Sequence, residues 1–486
     1  MKQIFIKAGV ILMMSLSLAS CKKYLDINVD PNATLEVDPK LLFSFGVTTY
    51  INNRSGGDLF IPMALGGQSM AGGGSSTEGI SWGPGSEDQY VFSPFSYSNI
   101  WSQYYTSVAA NLYKAIEQSG VYLPLNPNGA AQAKVVLAQV FYELTVTYGD
   151  IPFIDAIKDT IGAPKFDDQQ TVMNGCIGLL DEAIAELDPD GENKFADSYD
   201  PFYGGDIQQW IKAAKSLKLR ILMTMVDADE SVAAKIGELV TAGAMIESAD
   251  DNMKVAYETG SGKRNPKHAI SRDYNGGIEI FYGTPEVVNF MVANGDPRLP
   301  HFFDRPEGQS DYVGIAAGED ADDAVNVKIA STVHTADQPE YIFTYQEQLF
   351  YLAEIYTRGL GVAVDLTKAN EYYKQAVEAS CIFWGVAPAE AATYATDVLP
   401  ALVSGTALTT IAYQHWVDKM DRGIDAFTQW RRSGPEGSET PKLKVPIQAS
   451  GDGLFRRFEY PAAPELNVNP NAPELIPYTE KMWFDL

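Results

Sequence analysis

This sequence of 486 residues predicts a mainly α-helical fold, built from tetratricopeptide-like helix pairs with loop-rich insertions. Three observations predict it. Apolar residues recur at helical spacing from Ile100 to Trp430, the signature of amphipathic helices. Strand-like alternation is rare. Two pairs of such segments set small residues against large ones, as closely packed helix pairs require.

In chain order, a helical patch runs between Lys40 and Gly67. The stretch GGQSMAGGGSSTEGISWGPGSEDQY, residues 66–90, follows and is nearly all turn residues. Glycine and serine at that density cost backbone entropy that side-chain packing does not return. We therefore expect a long irregular segment with no core of its own, of the kind that is functional or disordered in compact proteins. Trp82, Tyr90, Phe92, Phe95 and Tyr97 argue for some order there. From Ile100, the residues Trp101, Tyr104, Tyr105, Val108, Leu112 and Ile116 share one helical face. Further helices are expected at 130–148, 172–187, 207–226, 231–242, 286–293, 346–360, 367–380 and 407–430.

In one tetratricopeptide-like pair, Leu349, Leu352, Ala353 and Tyr356 take the first-helix spacing and Ala369, Tyr373 and Ala376 the second. In the other, Leu137, Val140, Phe141 and Leu144 are followed, after a long insertion, by Cys176, Leu180 and Ala183.

The N-terminus reads as an export leader: Lys2 and Lys7, an apolar run over 8–18, then small residues up to Cys21. It falls short of the roughly 20 apolar residues that span a bilayer, so residues 1–20 are expected to be cleaved. Leu18-Ala19-Ser20-Cys21 resembles the bacterial lipobox, which would make Cys21 a lipidated membrane anchor. Lys22 stands where a retention aspartate would hold a lipoprotein at the inner membrane, so that resemblance implies the outer one.

The net charge of −27 becomes −29 once Lys2 and Lys7 leave with the leader. Nucleic acid is excluded as a partner, because phosphate contact needs a Lys/Arg surface. Cys176 and Cys381 lie in no CxxC or Cys/His ligand spacing and read equally as one bridge or two buried thiols. The histidines, His268, His301, His334 and His415, are scattered and outside any HExxH motif. GSGKR at 260–264 looks like the end of a phosphate loop, but the frame puts Tyr257 at its first glycine and Arg264 at the Mg²⁺-binding position. DPDGEN at 188–193 lacks the glycine position and bidentate glutamate of an EF-hand and reads as a helix-terminating turn. Paired carboxylates that would run glycoside hydrolysis are not singled out among 63 acids, so no catalytic residue is assigned and the chain does not read as an enzyme.

Several stretches in order, DPFYGGDIQQWIKAAKSLKLRILMTM (200–225), TYQEQLFYLAEIYTRG (344–359), YQHWVDKMDRGIDAFTQWRRSG (413–434) and RRFEYPAAPELNVNP (456–470), resemble the SusD/RagB family of outer-membrane nutrient-binding lipoproteins. CKKYLDINVDPN at 21–32, YGDIPFIDA at 148–156, DPRLPHFF at 296–303 and the closing MWFDL fit it too. The resemblance implies that residues 21–486 form a single SusD-like α–α superhelical domain. It implies a surface lipoprotein that takes an oligosaccharide, or in some branches a peptide, to a partner SusC-like TonB-dependent transporter without chemistry on the ligand. It implies no cofactor, although some members carry a structural calcium, here unlocated.

Trp82, Tyr90 and Tyr97, with Asp88 and Gln89 beside them, are the expected ligand contacts, since flat rings pack on sugar faces and polar neighbours reach hydroxyls. Trp101, Trp210, Trp416 and Trp430 are expected in the core, with Trp384 open to either role, and Arg220, Arg431 and Arg432 are expected to pair with acids and carbonyls. A lipoprotein scaffold that binds only other proteins is the alternative reading, and a surface hydrolase a third.

Overall fold

The computed structural model describes residues 37–73 and 87–486, except 159, 436, 450, 462 and 463. Cys21 and Trp82 lie outside the described residues. The chain opens with α1 (Pro39–Arg54) and α2 (Gly57–Gly66), then α3 (Pro94–Ser102), which runs through a π-helical stretch, Gln103–Ala109, into α4 (Ala110–Ser119). Next come α5 (Pro127–Tyr148), α6 (Gln169–Glu186), α7 (Ile207–Met225), α8 (Ala233–Ala242), α9 (Pro266–Ser271) and α10 (Pro285–Ala293). The C-terminal third holds α11 (Tyr345–Arg358), α12 (Leu366–Phe383), α13 (Ala407–Asp418) and α14 (Gly423–Arg431). Residues Pro39–Leu486 pack as one unit.

Both expected helix pairs form. In α5 and α6, Leu137, Val140, Phe141 and Leu144 are buried with Cys176, Leu180 and Ala183. Each helix starts on a polar cap: Asn126 Oδ1 accepts from Gly129 N at 2.8 Å and Asp168 Oδ1 from Thr171 N at 2.7 Å, which satisfies otherwise orphaned donors. In α11 and α12, Leu349 and Ala353 are buried with Ala369, Tyr373 and Ala376. Gly359, at φ +76°, ends α11 and Asp365 caps α12. Cys176 and Cys381 are separate buried thiols, so the bridge does not form.

Strand structure among the described residues is two short antiparallel pairs: β1 (Met253–Val255) with β4 (Glu340–Phe343), and β2 (Phe303–Asp304) with β3 (Lys328–Ile329). Trp101, Trp210, Trp416 and Trp430 are buried as expected. Trp384 is buried as well, its indole N–H donating to the Asp418 carbonyl at 3.2 Å.

Two expectations change. The segment after Gly66 is not coreless throughout: residues 67–73 are buried. Their order comes from a neighbour, since Ala71 and Tyr282 exchange both backbone hydrogen bonds at 2.9 Å. The helix expected over 407–430 is broken between Asp418 and Gly423. Gly423 lies against α2 so closely that a Cβ would sit 2.9 Å from Ala64 N. The intervening turn sends Lys419 and Arg422 into a buried ionic cluster. At that cluster's centre Arg54 meets Glu143, Glu340 and Asp425 at 3.0, 3.1 and 2.6 Å. Lys267 of α9 joins it through Glu340 at 2.9 Å.

Candidate functional site

A cleft of about 840 Å³ opens where the start of α2, the outer face of α3 and the chain from 261 to 274 converge. Its size lies at the upper end of small-molecule sites. Helix α3 shows how the sequence builds one wall. Ser93 caps it, accepting from Phe95 N at 3.3 Å, with Pro94 at the first helical position. From that start Tyr97, Ile100 and Trp101 turn inward, and Phe95 and Asn99, one helical turn apart, turn outward. Phe95 is 77% exposed, an unusual state for a phenylalanine.

The α2 wall is joined to α3 through Asp58, whose carboxylate accepts from Asn99 Nδ2 at 2.8 Å and Ser96 Oγ at 3.3 Å. Asp58 sits in the first turn of α2, where the helix dipole favours a negative charge. Opposite, α9 is capped by Asn265, and Tyr274 stands 51% exposed on the turn that follows. Arg264 Nη1 pairs with both oxygens of Asp273 at 2.9 and 3.0 Å, and His268 Nε2 lies 3.6 Å from Asp273. Lys267 anchors this wall to the ionic cluster beneath it. The cleft thus presents two exposed rings, a carboxamide, and two aspartates against one arginine. Such a surface suits an uncharged, hydroxyl-rich ligand with flat apolar faces.

The residues chosen from sequence fall elsewhere. Tyr90 and Tyr97 are 2% and 6% exposed, in an aromatic cluster with Phe92, Phe455, Phe458 and Tyr478. The Tyr90 hydroxyl accepts from Gln68 Nε2 at 2.8 Å, and burial pushes its pKa up to about 12. Burial likewise raises the Tyr97 pKa. Asp88 is buried and accepts from the backbone N–H groups of Gly72 and Gly318 at 3.2 and 3.4 Å. Gln89 is half-buried. Tyr90, Tyr97 and Asp88 are therefore buried among these neighbours and do not line the cleft. Phe95, Asn99, Asp58 and Tyr274, which line the cleft, are not among the contacts expected from the sequence. The signal for the first two was the Ser-Pro helix start at 93–94, which sets the outward face of α3.

Among the described residues no group of three or more His, Cys, Asp or Glu side chains is placed to hold a metal ion, and no helix is long and apolar enough to cross a membrane. The expected arginine pairings form: Arg220 with Glu347, Arg432 with Glu354 and the Met223 carbonyl, Arg431 with the Arg456 carbonyl.

A model of the SusD-like family, described as starch-binding and associating with the outer membrane, matches residues 80–461. Among curated proteins none matches the chain. Solved structures share its fold. A chitin-binding protein superposes with a TM-score of 0.77 at 23% identity, over 92% of this chain and 100% of its own. A chitin-binding SusD homolog from Flavobacterium johnsoniae gives 0.73 at 20%, over 91% and 98%. A SusD homolog from Bacteroides uniformis gives 0.72 at 19%, over 93% and 100%.

Proposed function

The chain belongs to the SusD-like family, and from that premise we propose that it is a lipoprotein of the outer membrane that captures an oligosaccharide and delivers it to a SusC-like TonB-dependent transporter. The observation that carries the binding step is the cleft with Phe95 and Tyr274 exposed on opposite walls and Asp58, Asn99 and Arg264 between them. Rings at this exposure give an oligosaccharide apolar faces to stack on, and the polar groups between them take its hydroxyls. Starch in the family description and chitin in the names of two structural relatives are both neutral glycans, in keeping with a cleft that holds more acid than base.

Anchoring rests on Cys21 in its lipobox-like context, and outward orientation on the family. Docking to the transporter rests on the rigid helix pairs, α5 with α6 and α11 with α12, which offer a broad surface to a large partner. Binding without turnover accounts for the cleft better than hydrolysis does. A glycosidase needs two carboxyl groups free to act on either side of one bond. Here Asp273 is engaged by Arg264, and Asp58 by Asn99 and Ser96.

The test joins two measurements. Outer membranes carrying the protein with a C-terminal tag are solubilised gently and the co-purifying proteins identified; a TonB-dependent barrel in near-equal amount is expected. The pure protein is then titrated with α-1,4-glucose and N-acetylglucosamine oligomers, and binding of one series without product formation is expected. Hydrolysis by pure protein defeats the proposal, as does absence of the barrel from membranes known to contain it. Recovery of the barrel with no binding of either series points to a peptide ligand instead.

A further inference from the structure

GSGKR, the stretch that fails as a phosphate loop, has a different place in the fold. Residues 258–264 form a tied turn: Glu258 N–H donates to the Lys263 carbonyl at 2.9 Å and Lys263 N–H to the Gly260 carbonyl at 3.1 Å. The Lys263 ammonium pairs with the Glu258 carboxylate at 2.9 Å, and Arg264 Nε donates to the Thr259 carbonyl at 2.9 Å. One side of this turn is the wall of the main cleft. On its other side lies a second hollow of about 280 Å³, bounded by Thr48 and Asn52 of α1 and by Tyr257.

Gly262 lines both hollows. Its φ of +76° favours glycine, and a Cβ there would meet nothing within 4 Å. At this point the partition is bare backbone facing open space, a low saddle between two cavities. The turn's own hydrogen bonds hold the saddle in place, so a chain that crosses it need not order it first.

We infer that the second hollow is a continuation subsite. It takes the units of an oligosaccharide that extend beyond the main cleft over Gly262, so the ligand class is an oligomer long enough to cross the turn, not a mono- or disaccharide. The inference rests on the glycan-binding reading above. The hollow has the chemistry for it. Tyr257, half-buried, supplies a ring edge, and its hydroxyl donates to Asn52 Oδ1 at 3.2 Å. That bond uses the acceptor of Asn52, an exposed residue, and leaves its amide hydrogens to donate to sugar hydroxyls.

The test is calorimetric titration of the full-length protein in detergent with dimers and hexamers of α-1,4-linked glucose and of N-acetylglucosamine. The hexamer of the recognised sugar is expected to bind at least about tenfold more tightly than the dimer. Tyr257→Ala should remove most of that gain and leave the dimer unchanged. Asn52→Ala, on the exposed face of α1 and losing a single hydrogen bond, keeps the fold and should remove part of the gain in the same length-selective way. Equal wild-type affinity for both lengths overturns the inference, as do substitutions that weaken both lengths alike or neither, while the glycan reading survives. Failure of all four sugars to bind the wild type removes that reading and the subsite with it.

Discussion

Arg220 and Glu347 meet through two parallel hydrogen bonds, Nε to Oε1 at 2.9 Å and Nη2 to Oε2 at 2.7 Å, between α7 and α11. Both side chains are buried. Lys419 and the Tyr351 hydroxyl reach the same carboxylate at 3.1 Å. Burial pushes the Glu347 carboxyl up, and Arg220, then Lys419, overcome it and hold its pKa down at about 2. The unfolded chain takes up a proton near the ordinary value of 4.5, whereas the folded chain resists until about pH 2. The stabilisation is therefore complete above about pH 4.5 and is lost as pH falls toward 2.

Glu347→Ala leaves Arg220 and Lys419 buried without their carboxylate and should destabilise the fold by about 3–5 kcal/mol in urea unfolding. Glu347→Gln, which keeps an acceptor, should cost less and should flatten the decline in stability between pH 4.5 and 2 relative to wild type. An unchanged slope would remove Glu347 from the account.

Gly237 sits inside α8, where alanine ordinarily gains about 1 kcal/mol. Here the added methyl would lie 2.2 Å from the Gly361 carbonyl oxygen and 2.6 Å from its carbon. Backbone, not a flexible side chain, stands in the way. Gly237→Ala is expected to destabilise by about 1–3 kcal/mol. Gly178→Ala, on the exposed face of α6 with nothing within 4 Å of its Cβ, should stabilise by up to about 1 kcal/mol. Thermal or urea unfolding of the two variants side by side reads the opposite signs.

What was legible in the sequence follows from which signals are local. The helix pairs were readable because Leu137, Phe141, Leu180, Ala353 and Ala376 repeat on a period that the helix itself sets. The break between α13 and α14 was not, because the reasons for it lie elsewhere in the chain: α2 crosses at Gly423, and Glu347 draws in Lys419. The site was half legible. The aromatic-bearing loop leads along the chain to the α3 wall of the candidate cleft, but aromatic content alone does not tell a ring that packs from one that is exposed. Tyr97 and Phe95 are two residues apart, and the helix start at Pro94 decides which one faces the core. The opposite wall comes from residues 261–274, more than 150 positions later, and no local pattern joins them.

Cys176 and Cys381 are buried on α6 and α12, and burial drives the Cys381 pKa up to about 12 and that of Cys176 higher still. The thiolate is the reactive form, so neither should react with a disulfide reagent in the native protein at pH 8. After denaturation, protein extracted from membranes should yield two thiols per chain if Cys21 carries a thioether, and three if it does not. Reaction of either buried cysteine in the native state would contradict their placement.

Phe95 allows binding to be separated from folding. At 77% exposure its ring contributes little buried area, so Phe95→Ala should leave the thermal midpoint within about 1–2 °C of wild type. A stacked ring contributes roughly 0.5–1.5 kcal/mol beyond its area, so the same change should weaken binding of the recognised oligosaccharide about three- to tenfold. Phe95→Trp offers a larger flat face from the same outward position on α3 and should retain or improve affinity. Tyr97→Ala is the matched contrast. Tyr97 packs at 4.6 Å on Phe458, and removing a buried aromatic costs about 3–5 kcal/mol, so this variant should lose stability whatever happens to binding. If Phe95→Ala binds as wild type does while remaining folded, the cleft between α2, α3 and the 261–274 chain is not where the glycan sits, and the proposal loses the observation that carries it.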